Sequence, residues 1–223
     1  MDLSPLAPDI LFNLGPVPIS RPVVTTWAIM AGMTLLCWLG LRRAQVHAGP
    51  LQTVLEVIVT TLDEQIAAII HRDHGKYVPL LGTLFLFVVI ANLSAIVPGV
   101  KPPTGHLETP MALAAIVFVS AHVMGIQARG LGAYASRYTK PSILLLPLNV
   151  LSEITRTFSL MVRLYGNIMS HEMVIAIVLF LAGLFLPVPF MLLGILIGII
   201  QAYIFTVLAA VFIGAAVSTE EIG

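Results

Sequence analysis

The sequence predicts an all-α, polytopic membrane protein. It should carry about five membrane-embedded helices plus an amphipathic surface helix, with the last two embedded helices forming a long tilted hairpin. Two observations carry this prediction. Of the 223 residues, 58% are hydrophobic and only 10% charged, with mean hydropathy +1.01, whereas charged residues make up about a quarter of a soluble domain. The chain is also divided into apolar runs long enough to cross a bilayer, separated by proline, glycine and clusters of charge. Residues 1–223 read as a single membrane domain.

Composition excludes other classes. The formal net charge is zero, so nothing suggests a nucleic-acid partner. The single cysteine, Cys37, rules out an internal disulfide or a cysteine metal cluster. The motif His71-Arg72-Asp73-His74 resembles a metal-ligand spacing only superficially and reads as a solvated turn. Neither a metal nor a cofactor is expected.

Residues 1–20 form an outer N-terminal segment. Asp2 and Asp9 occur there without a basic group, so no cleavable signal is expected. Residues 21–76 hold the first helix and the amphipathic helix. The first apolar run, Val23 to Leu41, just spans a core of roughly 30 Å at about 1.5 Å per residue. Gly49-Pro50 breaks the chain. From Leu51 to Ile70, Val54, Leu55, Ile58, Leu62, Ile66 and Ile69 recur on one side, and Glu56, Asp63 and Glu64 lie elsewhere. That is the pattern of a helix lying in the membrane surface; a short soluble-type hairpin element fits the same periodicity.

Residues 77–127 hold two spanning helices, Tyr77 to Val97 and Met111 to Gln127. Between them, the loop from Lys101 to Pro110 carries His106 and Glu108. The third span carries His122, which is either a satisfied core group or a channel residue. Arg129 to Lys140 reads as a basic loop. Residues 141–217 form the hairpin. Pro141 to Gly183 would be roughly 60 Å long as one helix, about twice the core thickness. It must kink or tilt far beyond the average of about 20°. Pro187-Val188-Pro189 reads as the turn, and Phe190 to Val217 as a return helix of roughly 42 Å.

Basic residues set the orientation. With five crossings, Arg42, Arg43, Arg72, Lys76, Arg129, Arg137 and Lys140 share one side, and only Arg21 and Lys101 fall on the other. This places the N-terminus outside and the C-terminus in the cytoplasm.

Arg163 is the anomaly of the chain. Phe158, Leu160, Met161 and Val162 precede it, and Leu164 and Tyr165 follow. An arginine at mid-membrane costs from about 2.5 to above 10 kcal/mol, and it cannot escape by losing its proton. Snorkelling from a helix end fits poorly with apolar sequence on both sides. A structural pair with Glu172 or Glu153 and a functional site both remain open. Arg163, Asn167 and His171 form a drifting i, i+4, i+8 stripe, with Arg156 two turns before it. Glu172, nine residues on, points the opposite way from Arg163. Gly166 removes bulk and allows a neighbouring helix to approach closely.

The run Arg163-Leu164-Tyr165-Gly166-Asn167, followed by His171-Glu172, resembles the signature of subunit a of F-type ATP synthases. Tyr77 through Asn92 with Pro98-Gly99, and Gln201-Ala202-Tyr203-Ile204-Phe205, resemble two further core helices of that family. The resemblance runs from about Lys76 to the C-terminus and more loosely to the first helix. It implies a non-catalytic, ion-translocating stator subunit in a bacterial inner membrane. Its partners would be a rotor ring of subunit c, the peripheral-stalk subunit b, the remainder of the synthase and membrane lipid.

By that resemblance Arg163 matches the essential arginine, which separates two half-channels. Asn167, Glu172 and Gln201, with His171 beside them, belong to the outer half-channel. Glu153 resembles an acidic residue of the inner one, where Asn149, Ser152 and Arg156 are further candidate lining groups. His122, His106 and Glu108 are the remaining candidates. The chain departs from many bacterial members at one point: His171 stands where they have glycine, and Gly194 stands where they have histidine. The imidazole would then occupy similar space from the facing helix.

Two other functions compete. A secondary transporter with a substrate site at Arg163 is the first, although the chain lacks the internal repeat of such carriers. A purely structural membrane anchor is the second, and it would need neither Arg163 nor Glu172.

Overall fold

A computed structural model describes residues 10–14, 17–41, 49–70, 74–96, 100, 102–139, 143–183 and 186–218. Several residues used above to set orientation, including Arg42, Arg43, Arg72 and Lys101, lie outside the described residues, as do His71 and Asp73. Among the described residues the chain is all-α apart from a short antiparallel ribbon of β1 (Ile10–Leu14) and β2 (Val17–Ser20) before the first helix. Among the described residues, seven α-helices follow. They are α1 (Arg21–Leu41), α2 (Pro50–Ile69), α3 (Val78–Leu93), α4 (Glu108–Arg129), α5 (Leu131–Thr139), α6 (Leu146–Ala182) and α7 (Pro187–Val217). All but α2 and α5 are long and apolar enough to cross a membrane, which makes five embedded candidates.

Helix α7 is the centre of the bundle. Its Ala202, Phe205, Ala209, Ala210, Ile213 and Ala216 are buried, and it packs most extensively on α3 and α4. Between helices in lipid no hydrophobic difference drives association, so close packing of small residues must do so; the alanine face of α7 provides it. Two polar side chains inside the bundle, Asn92 and Thr104, are satisfied locally. Asn92 Nδ2 donates to the Gly198 carbonyl at 2.9 Å, and Thr104 Oγ1 donates to Asn92 Oδ1 at 2.9 Å. These bonds tie α3, the short turn at Pro103–Gly105 and α7 together.

The hairpin differs from the sequence expectation at its bend. Pro187-Val188-Pro189 does not form the turn; it is the first turn of α7. Proline is tolerated there because those amides have no intrahelical partner. The reversal lies just before it. Gly183 ends α6 with φ +73°, a left-handed conformation that glycine adopts without cost. Helix α6 is unbroken for 37 residues, about 55 Å, so the length problem is met by one continuous element without a kink-forming proline.

One further correction concerns the connection after α4. The stretch expected as a basic loop contains α5, whose buried Tyr134 docks beside Gly125. A Cβ at Gly125 would sit 2.6 Å from the Tyr134 ring and 3.1 Å from the Ala216 carbonyl, so three helices meet there only because that residue is glycine. Helix α2 starts at Pro50 and packs Leu62 and Ile66 against the bundle. Its Tyr203 contact, a hydroxyl donating to Gln65 Oε1 at 3.0 Å, ties it to α7. Val54, near the start of α2, is exposed, and packing on the bundle runs from Ile58 onward.

Candidate functional site

The stripe of Arg163, Asn167 and His171 winds from the surface of the chain into the α6–α7 contact. Successive i+4 positions drift by about 40° at 3.6 residues per turn. Accordingly Arg163 is exposed, whereas Asn167 and His171 are half-buried. No described side chain pairs with Arg163. Its neighbours along the same exposed face are small or polar: Ser152, Thr155, Ser159 and Ser170 recur at helical spacing. Ser152, Thr155, Arg156 and Ser159, with Leu148 and Leu151, line a shallow open groove of ≈ 440 Å³ on this face. Asn149 is half-buried at the same end of the helix.

Asn167 and Gln201 join α6 to α7. Asn167 Nδ2 donates to Gln201 Oε1 at 3.3 Å. Gln201 is buried, and its own amide nitrogen has no partner among the described residues. Gln201 thus meets α6 at Asn167, one turn further along than Arg163.

Beyond Asn167, α6, α7 and the end of α3 border a cleft of ≈ 590 Å³. His171 and Glu172 both line it, together with Asn92 and Gly194. A Cβ on Gly194 would overlap the His171 ring, which therefore fills the space left by the missing side chain. Glu172 also reaches the loop before α4: its Oε1 lies 3.3 Å from where a Cβ of Gly105 would be. His106 follows Gly105 in that loop and is half-buried. Glu108 is elsewhere. It accepts a hydrogen bond from Ser20 Oγ at 3.0 Å, and it stands at the N-terminus of α4, where the helix dipole favours an anion.

The opposite half of α6 brings a second polar group together. His122 of α4 and Glu153 of α6 approach with Nε2–Oε1 3.9 Å. His122 Nδ1 lies 2.8 Å from the Phe118 carbonyl. A cavity of ≈ 20 Å³, lined by Glu153, Arg156, Thr157 and Phe118 among others, adjoins this pair. That is room for about one water molecule.

Sequence reasoning gave Asn92 no role beyond the motif that carries it. Its signal was an amide in an otherwise apolar helix, which needs a partner at that depth. Thr104 had no such signal, because nothing in a polar loop distinguishes a buried hydroxyl from a solvated one.

The chain matches the family model described as ATP synthase A chain over residues 23–214. It is 56% identical to ATP synthase subunit a 2 of Bradyrhizobium sp. over 223 residues, all of both chains. It is 44% identical to ATP synthase subunit a 2 of Pelobacter propionicus over 211 residues, 95% of this chain and 92% of that one. It is 42% identical to ATP synthase subunit a 1 of Chlorobaculum parvum over 214 residues, 95% of each. Neither a secondary transporter nor an isolated anchor is what these matches describe. The chain belongs to the ATP synthase A chain family, the non-catalytic, proton-translocating subunit of the synthase's membrane sector.

Proposed function

We propose that Arg163 is the fixed cation separating two half-channels, and that a rotor ring of subunit c turns against the exposed face of α6. The single observation that carries this reading is the placement of Arg163: exposed on the chain's own surface, unpaired by any described side chain, in the middle of an apolar helix. A charge so placed needs a partner outside the chain. The small residues flanking it along that face suit close approach by another helix.

A buried carboxyl group on each rotor subunit would stay neutral against lipid and ionise when it faced the guanidinium. Its proton then leaves by one pathway and is replaced from the other. The cleft of His171, Glu172, Asn167 and Gln201 suits the outer half-channel. The group formed by Glu153, Arg156 and His122, with Asn149 and Ser152 near the same end, suits the inner one. Histidine and glutamate at membrane depth can hold and pass protons, while the permanent charge between them blocks a direct leak. Peripheral-stalk subunit b is the further partner this role requires, and the N-terminus would lie outside with the C-terminus in the cytoplasm of a bacterial inner membrane.

Accessibility tests the two pathways. With Cys37 replaced by serine, single cysteines at positions 172 and 153 are placed in the intact complex and treated with a membrane-impermeant thiol reagent. Glu172→Cys should react from the outer side only and Glu153→Cys from the inner side only. Reaction of both from one side would reject the half-channel arrangement.

A further inference from the structure

The turn Pro103–Gly105, between α3 and α4, is an irregular segment packed among α1, α3, α4 and α6. Pro103 and Thr104 are fully buried. Irregular backbone is tolerated at membrane depth only where protein or a water-filled cavity surrounds it. The composition of the turn suits that position. Pro102 and Pro103 have no amide proton to satisfy, and the amides of Gly105 and His106 donate to the Pro102 and Pro103 carbonyls at 3.0 and 3.2 Å. Side chains fix the segment on either side of Gly105. Thr104 Oγ1 donates to Asn92 Oδ1, and Asn92 Nδ2 donates in turn to the Gly198 carbonyl. A Cβ on Gly198 would lie 3.1 Å from Asn92 Cβ, so Asn92 sits directly on the α7 backbone. Past the turn, Ser20 holds Glu108. Between these anchors Gly105 lies against α6: a Cβ on it would be 3.3 Å from Glu172 Oε1 and 3.4 Å from Ile168 Cγ2. Ile168 is buried, and it lines the His171–Glu172 cleft together with Asn92 and Pro102. The segment is thus part of the cleft wall, and Thr104 is the side chain that bonds it to α3.

We propose that Asn92 and Thr104 are positioning residues: they clamp the turn Pro103–Gly105 over Ile168 and thereby hold the Glu172 carboxylate in place within the cleft. This rests on the reading of Glu172 given above. Neither Asn92 nor Thr104 carries a proton in this role. A carboxylate exchanges a proton only when its partner stands about 3 Å away, and a glutamate side chain has several rotamers unless its neighbours restrict them. Gly105 restricts Glu172 from one side, and it does so with backbone, because a larger residue would press on the carboxylate. Removing the Thr104 hydroxyl leaves the Asn92 carbonyl without its donor in a buried site. The turn then loses its bond to α3, Ile168 is uncovered, and Glu172 gains freedom.

The test uses the intact synthase with Cys37 replaced by serine and Ile168→Cys as a reporter beneath the turn. Outer-side reactivity is measured with two anionic, membrane-impermeant thiol reagents, sulfonatoethyl methanethiosulfonate and a bulky stilbene-disulfonate maleimide. Thr104→Val should raise the rate of the bulky reagent relative to the small one about 3- to 10-fold, the change in an opening equilibrium that one buried hydrogen bond sets. With Ile168 restored, ATP-driven proton pumping by inverted vesicles should fall at least about 3-fold in Thr104→Val at equal content of complex. Thr104→Ser keeps the hydroxyl and should match the parent in both measurements. An unchanged reagent ratio, a raised ratio with undiminished pumping, or a Thr104→Ser variant as impaired as Thr104→Val would overturn the proposal. If Thr104→Val fails to assemble, Thr104→Ala takes its place, because it removes the same donor without placing apolar bulk against Asn92. Glu172→Gln in the same vesicles separates the two levels. If it pumps normally, the underlying reading fails; if it does not and Thr104→Val pumps as the parent does, only the positioning role fails.

Discussion

The imidazole of His171 occupies the volume that a side chain at Gly194 would fill. One ring site in the cleft can thus be supplied from α6 or from α7, but not from both. Gly194→His alone should clash and impair assembly or flux. His171→Gly should reduce proton flux, and adding Gly194→His should restore most of it. Flux in vesicles of the intact complex decides: a double variant no better than His171→Gly means the ring position is not shared.

Glu172 lines the same cleft and lies against Gly105 of the loop before α4. Glu172→Gln keeps its shape but cannot accept and release a proton, so flux should fall by at least about 10²-fold if it relays protons. Glu172→Asp should keep part of the flux. Unchanged flux in Glu172→Gln would move the pathway elsewhere, with His106 the nearest further candidate.

Asn167→Leu would leave the buried Gln201 carbonyl without its donor. An unsatisfied buried acceptor costs about 1–3 kcal/mol, so the purified complex should lose this subunit at a lower temperature than the parent. Unaltered thermal dissociation would show that the bond does not hold α6 to α7.

Gly125 admits Tyr134 and the Ala216 carbonyl at distances that a side chain would forbid. Gly125→Val should destabilise the contact of α4, α5 and α7 by about 1–3 kcal/mol, the usual cost of overpacking. Protease cleavage within α5 should rise in step. A variant as resistant as the parent would mean α5 does not depend on this contact.

Much of this arrangement was legible in the sequence. The five embedded helices follow from apolar length, and Arg163 was conspicuous because its surroundings were apolar. The drift of Asn167 and His171 into the α7 contact follows from helical geometry once α7 is known to return alongside. What could not be read was set by local chain geometry and by contacts between distant segments. Pro187 and Pro189 signal a turn and a first helical turn equally well, and the reversal used Gly183 instead. Tyr134 sat in a stretch with too few apolar residues to announce a docked helix. His122 and Glu153 are 31 positions apart, and only the packing of α4 on α6 makes them neighbours.

The central claim is that Arg163 separates two pathways beside the rotor. The most direct measurement is the proton gradient formed on ATP hydrolysis by inverted vesicles carrying Arg163→Ala, with assembly verified by recovery of the whole complex. The account predicts an assembled complex that forms no gradient and makes no ATP. Arg163→Lys should fail as well, since an ammonium differs in geometry and can lose its proton when buried. A normal gradient in either variant would contradict the account.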